Sequence, residues 1–286
     1  MPRFLAIGHV TRDQRPGGDV LGGSAAYAAL TARKLGWEAG VLTAAGPDFE
    51  PERELPGIAV FSRVSAATTR FVNTYDEDGG RHQVVTSRAD DIDLSILPDD
   101  WRQADALLLC PVARELDGVA PPALDAGAVG AVAQGWLREI GEDGDVSTRE
   151  WAGAGRELLG VHVVFLSEQD LPDADAGARA LLGHVPMVAL TRGWRGLTLL
   201  TREGEHEIPS LPRAERDPTG AGDVFAAAFL VRYHESGDPP DAAGFAACAA
   251  SCAVEGVGAS SLGDREEVLR RLEMRERFLE EGEWNE

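Results

Sequence analysis

Asp217-Pro218-Thr219-Gly220-Ala221-Gly222-Asp223-Val224-Phe225-Ala226-Ala227-Ala228-Phe229 is the stretch around which the rest of the chain can be ordered. Two glycines flank an alanine at the point where an apolar helix begins. Residues this small let a ligand approach the backbone, and the N–H groups of a first helical turn have no partner inside the helix. With the helix dipole added, the turn is a site for an anion. Asp223 stands beside it, where its charge repels an anion. The placement makes chemical sense if the carboxylate takes a proton from a hydroxyl attacking a phosphoryl group. A glycine-rich turn whose acidic residue merely favours the helix N-terminus is the plainer alternative.

Outward from this helix, apolar runs alternate with helical stretches in the manner of βα units. Strands are expected at 4–7, 39–43, 106–109, 128–132, 161–165 and 187–191, several of them continuous apolar runs of the kind buried in parallel sheets. Helices are expected at 24–35, 148–159, 221–233, 242–254 and 265–279, with Ser24 and Asp264 as N-caps. This is a doubly wound α/β sheet with helices on both faces, in one domain over 1–286. Two β-rich segments break the alternation, Thr69–Tyr75 and 83–86, joined by the hairpin signal Asp76-Glu77-Asp78-Gly79-Gly80. No helix separates them, so they belong to a small β lid, formed by about 11–21 and 62–88. The acidic tail at 280–286 is expected to fray.

Composition narrows the chemistry. A hydrophobic fraction of 44% fits a buried core, and no run of eighteen apolar residues suggests a membrane span. The first residues read as a short strand ending at Gly8, not as a secretory signal. A net charge of −21 repels nucleic acid and anionic membrane. Three cysteines are too few for a disulfide framework, which suits a reducing cytoplasm. Cys248 and Cys252, four apart on an apolar helix, read as core. Lys34 is the only lysine and follows no glycine, so phosphate loops built on a Gly-Lys pair are excluded.

The sequence resembles the ribokinase-like, or PfkB, carbohydrate kinases. Their signature Asp-Thr-x-Gly-Ala-Gly-Asp matches Asp217–Asp223, with Pro218 in place of the first threonine. Gly22-Gly23-Ser24-Ala25-Ala26-Tyr27 followed by Arg33-Lys34-Leu35-Gly36 is similar to the family's N-terminal Gly-Gly segment and helix. Leu190-Thr191-Arg192-Gly193-Trp194-Arg195-Gly196 is similar to its Thr-x-Gly-x-x-Gly turn near the nucleotide. The resemblance implies that Asp223 is the catalytic base and that Gly220, Ala221 and Gly222 form the anion hole for the transferring phosphoryl group. It implies ATP along Thr191, Gly193, Gly196 and Thr219, and a substrate held by Asp13, Gly22, Gly23 and Tyr27. Tyr27 stands where many relatives have an asparagine. The Asn-x-x-Glu of the family becomes Ser167-Glu168-Gln169-Asp170, which leaves Glu168 and Asp170 to hold magnesium through water. Asp217 is the residue for a monovalent cation such as K+.

Gln134-Gly135-Trp136-Leu137-Arg138 ends a strand, the usual ligand position in open α/β sheets, and makes Arg138 a further substrate or phosphate contact. His9, after the first strand, is a candidate to line the pocket. The flap strand and this turn also resemble the branch containing plant inositol kinases. The expected activity is transfer of a phosphoryl group from ATP to a small sugar or polyol, inositol-like first. A nucleoside kinase and a non-catalytic small-molecule binder on the same fold are the alternatives. A homodimer through the lid is also expected, because a hairpin exposes a sheet edge.

Overall fold

Alternation along the first strand sets the two layers of the core. Phe4 and Ala6 pack into one apolar cluster and Leu5 and Ile7 into another, as a period of two requires for a strand covered on both faces. The structure, a computed structural model, describes residues 1–15, 18–75, 81–119, 124, 126–211 and 213–281. The expected hairpin turn at 76–80 and the end of the acidic tail, 282–286, lie outside the described residues.

In chain order the strands are β1 (Arg3–Ile7), β2 (Thr11–Arg15), β3 (Gly18–Gly22), β4 (Glu38–Ala45), β5 (Ala59–Val64), β6 (Thr69–Tyr75), β7 (Arg81–Ser87) and β8 (Ala106–Leu109). They continue as β9 (Ala128–Val132), β10 (Arg138–Ile140), β11 (Val146–Thr148), β12 (Val163–Ser167), β13 (Met187–Thr191), β14 (Leu197–Thr201) and β15 (Glu205–Ile208). The helices are α1 (Ser24–Lys34), α2 (Pro51–Glu54), α3 (Ala154–Glu157), α4 (Ala174–Leu181), α5 (Ala221–Ser236), α6 (Pro239–Ala253) and α7 (Arg265–Glu281).

Among the described residues, nine strands form one sheet in the order β15-β14-β13-β12-β9-β8-β1-β4-β5. It is parallel from β5 to β13, and β14 and β15 close one edge antiparallel. Residues of α1, α5, α6 and α7 fill the cluster on one face, and those of α3 and α4 the other. The lid is a separate four-stranded sheet, β3-β2-β6-β7. Its β2–β6 pairing is parallel, with Thr11 opposite Thr69, so the residues after β1 and the flap form one body. The buried Arg12 guanidinium fastens the lid base by hydrogen bonds to Glu54 and to the Asp48 carbonyl.

Three expectations change. Residues 62–64 belong to the main sheet, because β5 pairs with β4 as far as Val64. The helix expected at 148–159 is a strand end followed by the short α3. Gly153 and Gly155 weaken helix there, and Trp151 is drawn onto Trp136, ring centroids 4.8 Å apart. Gly23, not Ser24, caps α1, and no side chain bonds to the cap; Ser24 is the first helical residue. Asp264 does cap α7, its carboxylate accepting the Glu267 N–H at 3.0 Å. Among the described residues no helix is long and apolar enough to cross a membrane.

Candidate active site

Because the loops that follow β1, β9, β12 and β13 open on one end of the sheet, and the lid and the start of α5 face them, a cleft of about 840 Å³ forms there. Its lining includes Thr11, Asp13, Gln134, Asp170, Thr191, Gly193, Gly196, Thr219 and the whole turn from Gly220 to Asp223. Residues scattered over 210 positions of sequence meet in one groove.

The turn at its centre depends on glycine. Gly220 caps α5 at φ 81°, a left-handed conformation that only glycine takes without strain. Beneath it lies Tyr27, whose ring leaves no room for a side chain on Gly220. The Ala221 N–H turns back to the Pro218 carbonyl at 3.1 Å, so the first-turn N–H groups facing an anion are those of Gly222 and Asp223. Ala221 thus contributes its small size and not a donor. A Cβ on Gly222 would meet nothing within 4 Å, which is the space an approaching phosphoryl group needs.

Asp223 follows directly. Burial pushes its carboxyl up to about 6; the Ser24 hydroxyl bond and the Arg138 charge oppose the rise, and the Asp170 and Asp13 carboxylates add to it. Such a group is ionised at neutral pH yet basic enough to accept a proton from an alcohol as its oxygen forms a bond to phosphorus. Ser24, which does not cap its helix, lines the cleft beside Asp223 and favours its charged form.

At the lid end, the Thr11 hydroxyl donates to Asp13 Oδ1 at 3.0 Å. A side chain on Gly22 would collide with Asp13 Oδ2 at 2.5 Å, so Gly22 makes room for Asp13 and does not itself line the cleft. Gly23 does line it, at φ 92°. Tyr27, expected to present an aromatic face to substrate, lines the cleft; it is 4% exposed, and its ring also lies under Gly220. Phe71 is equally buried and is covered by the Arg138 guanidinium, 5.1 Å from the ring centre. Arg138 donates to the Val112 carbonyl at 2.8 Å, to Gln83 Oε1 at 2.9 Å and to Gln134 Oε1 at 2.8 Å. The loop carrying Val112 is held by Glu115, whose buried carboxylate accepts N–H groups from His9, Val112 and Ala113.

At the other end, Asp170 lines the cleft and accepts the Ser167 N–H at 2.7 Å and the Gln134 amide at 3.3 Å. Glu168 lines the cleft as well, but its carboxylate is paired with the Arg195 guanidinium. Among the described residues no three His, Cys, Asp or Glu side chains gather into a direct metal site. A carboxylate such as Asp170, without further ligands gathered around it among the described residues, suits a magnesium ion that keeps most of its water. Asp217, expected to hold a monovalent cation, is outside the cleft lining and accepts the Thr219 and Gly258 N–H groups at 3.0 and 3.4 Å. His9 is buried and outside the lining as well, its ring nitrogens bonded to the Asp90 carbonyl and the Thr69 hydroxyl. It pins the first loop to the lid. Cys248 and Cys252 are buried thiols, pushed up to about 12 and about 11 by burial.

Ser24, Asn73 and Gln83 were missed from the sequence. Ser24 adjoins a motif, and its hydroxyl was read as a cap; Asn73 and Gln83 sit in alternating strands that carry no motif.

Over 257 residues, 80% of this chain and 88% of the other, the sequence is 28% identical to cytidine kinase of Thermococcus kodakarensis. Among solved structures, a sulfate complex of a pyrophosphate-dependent kinase in the ribokinase family superposes with a TM-score of 0.76 at 22% identity, over 93% of this chain and 99% of that one. A pyrophosphate-dependent kinase in the ribokinase family, complexed with a pyrophosphate analog and myo-inositol, superposes at 0.72 and 21% identity, over the same shares. At such identities the structures speak for the fold, which is ribokinase-like. Residues 14–265, the signature turn among them, match the pfkB family of carbohydrate kinases, and the chain belongs to that family.

Proposed function

We propose that this protein transfers the terminal phosphoryl group of ATP to a hydroxyl of a small polyol, with a ring polyol of the inositol kind as the preferred acceptor. The observation that carries the reaction type is Asp223, a carboxylate raised to about 6 beside the open N–H groups that begin α5. An acceptor hydroxyl lying between Asp13 and Asp223 gives its proton to Asp223 as its oxygen attacks the terminal phosphorus, while the bond from that phosphorus to the bridging oxygen breaks and ADP leaves with the electron pair. The Gly222 and Asp223 N–H groups receive the charge on the transferring group. Asp170 is the residue that would hold magnesium, through water, and the ion would supply neutralisation of phosphate charge.

The acceptor follows from what the lid end offers. Asp13, Asn73, Gln83, Gln134 and Arg138 line it, all hydrogen-bonding side chains. Both described aromatics there are occupied, Tyr27 under Gly220 and Phe71 under Arg138. A rim of hydroxyls matches such a wall better than a flat base, which asks for a free aromatic or apolar slot. For the donor, Leu197, Leu211, Ala247, Ala250 and Val254 line the far end of the cleft, apolar area suited to a nucleotide base. Pyrophosphate would leave it empty. A homodimer through the lid is part of this reading.

The second reading is a nucleoside kinase, favoured by the likeness to the cytidine kinase. Phosphoryl transfer measured across a panel of polyols and nucleosides, with ATP and with pyrophosphate as donors, tests both. Turnover of myo-inositol with ATP supports the first. Turnover of a nucleoside without polyol turnover replaces it, and turnover with pyrophosphate alone overturns the donor.

A further inference from the structure

Five hydrogen bonds run without a gap from the lid to the donor side of the cleft. Gln83 on β7 donates its amide to Asn73 Oδ1 on β6 at 2.7 Å, and its Oε1 accepts from Arg138 Nη2 at 2.9 Å. The same nitrogen donates to Gln134 Oε1 at 2.8 Å. Gln134 then donates through Nε2 to Asp170 Oδ1 at 3.3 Å, and Asp170 Oδ2 accepts the Ser167 N–H at 2.7 Å. The polarity runs outward from Arg138 in both directions: Gln83 and Gln134 each accept from the guanidinium and donate onward, to Asn73 and to Asp170. Bonds so linked strengthen one another when the surroundings are partly dry, and Arg138 is 8% exposed.

From this continuity we propose that Gln134 and Arg138 are positioning residues that couple closure of the lid to binding of the magnesium-donor complex at Asp170. The inference rests on the reading of the cleft as a kinase site but not on the identity of the acceptor. Gln134 is the joint. Its amide is turned by two partners at once, the guanidinium that holds the lid and the carboxylate that faces the donor. Fixing Asp170 on magnesium fixes Gln134, and Gln134 with Val112 fixes Arg138, under which Phe71 and Gln83 of the lid must then stay. Linkage makes the effect reciprocal: a lid closed over acceptor tightens the donor, and a bound donor quiets the lid.

The lid is a distinct sheet whose opening is readable as hydrogen exchange of β6 and β7. Exchange is measured on the wild-type chain and on Gln134→Leu and Gln83→Leu, each with magnesium and a non-hydrolysable ATP analogue or a non-hydrolysable pyrophosphate analogue. Calorimetry on the same samples reports donor binding separately. The wild-type lid is expected to exchange about tenfold more slowly with donor bound, and both variants to lose that difference while still binding donor. A role confined to structure would change exchange without ligand and leave the donor-dependent difference in place. Donor-bound protection equal to wild type in either variant overturns the coupling, as does a wild-type lid indifferent to a donor that calorimetry shows to be bound. If neither donor binds to the wild type, the kinase reading fails, and the coupling with it.

Discussion

Tyr27 lies so close under Gly220 that a Cβ on the glycine would come within 2.6 Å of its ring. The turn that begins α5 is therefore built on an aromatic floor. Gly220→Ala meets two costs, the left-handed backbone at φ 81° and the collision, together about 2–4 kcal/mol. Chemical denaturation of Gly220→Ala, Tyr27→Ala and the double variant separates them. The double variant should be less destabilised than the sum of the singles by more than about 1 kcal/mol, since removing the ring relieves the collision but not the backbone. Strictly additive losses would mean that the ring does not support the turn.

With Asp223 as the proposed base, stability and activity should depend on pH in opposite directions. Its folded-state value, about 6, is above the ordinary 3.8, so a proton on Asp223 favours the folded state. The cost of its charge is absent below about pH 3.8, grows from there to about 6, and is complete above, at up to about 3 kcal/mol. Asp223→Asn should thus melt higher than wild type at pH 8, and the gap should close towards pH 4. Activity runs the other way: kcat/KM of wild type should fall tenfold per pH unit below about 6. A variant less stable than wild type at pH 8 would count against the buried charge.

The two acidic residues after β12 should differ in magnesium titrations. Asp170→Ala is expected to raise the magnesium needed for half-maximal rate by about tenfold. Glu168→Gln should shift it by less than about threefold, because Arg195 already holds Glu168. Equal shifts, or the reverse order, would reassign the metal-facing carboxylate.

The lid has one covered edge. A bridge from Val84 to Asp145 and a bond from the Val85 N–H to the Gly144 carbonyl at 2.8 Å set the β10–β11 hairpin against β7. That leaves β3 at the other edge, so the proposed dimer pairs there. Sedimentation should show a dimer, and a chain that stays monomeric at high concentration removes the dimer while sparing the lid.

How far the sequence could be read depended on burial. Strands buried on both faces announce themselves as apolar runs, and β8, β9 and β13 lie where expected to the residue. The edge strand β15, Glu-His-Glu-Ile, has a polar face and no such run. Asp223 was legible because its chemistry needs a fixed turn, and the lid because a hairpin interrupts the βα rhythm. The second part of Tyr27, its ring under Gly220, was not legible because it is set by contact with a residue 193 positions away. The chain from Gln83 to Asp170 joins four separate elements, and no local pattern encodes that.

The central claim is that Asp223 is the base of an ATP-dependent polyol kinase. Its most direct test is turnover of magnesium-ATP with myo-inositol by wild type and by Asp223→Asn, with nucleotide affinity measured alongside. The variant is expected to lose roughly two to four orders of magnitude in kcat and to bind nucleotide within about threefold of wild type. A variant that turns over within tenfold of wild type would contradict it.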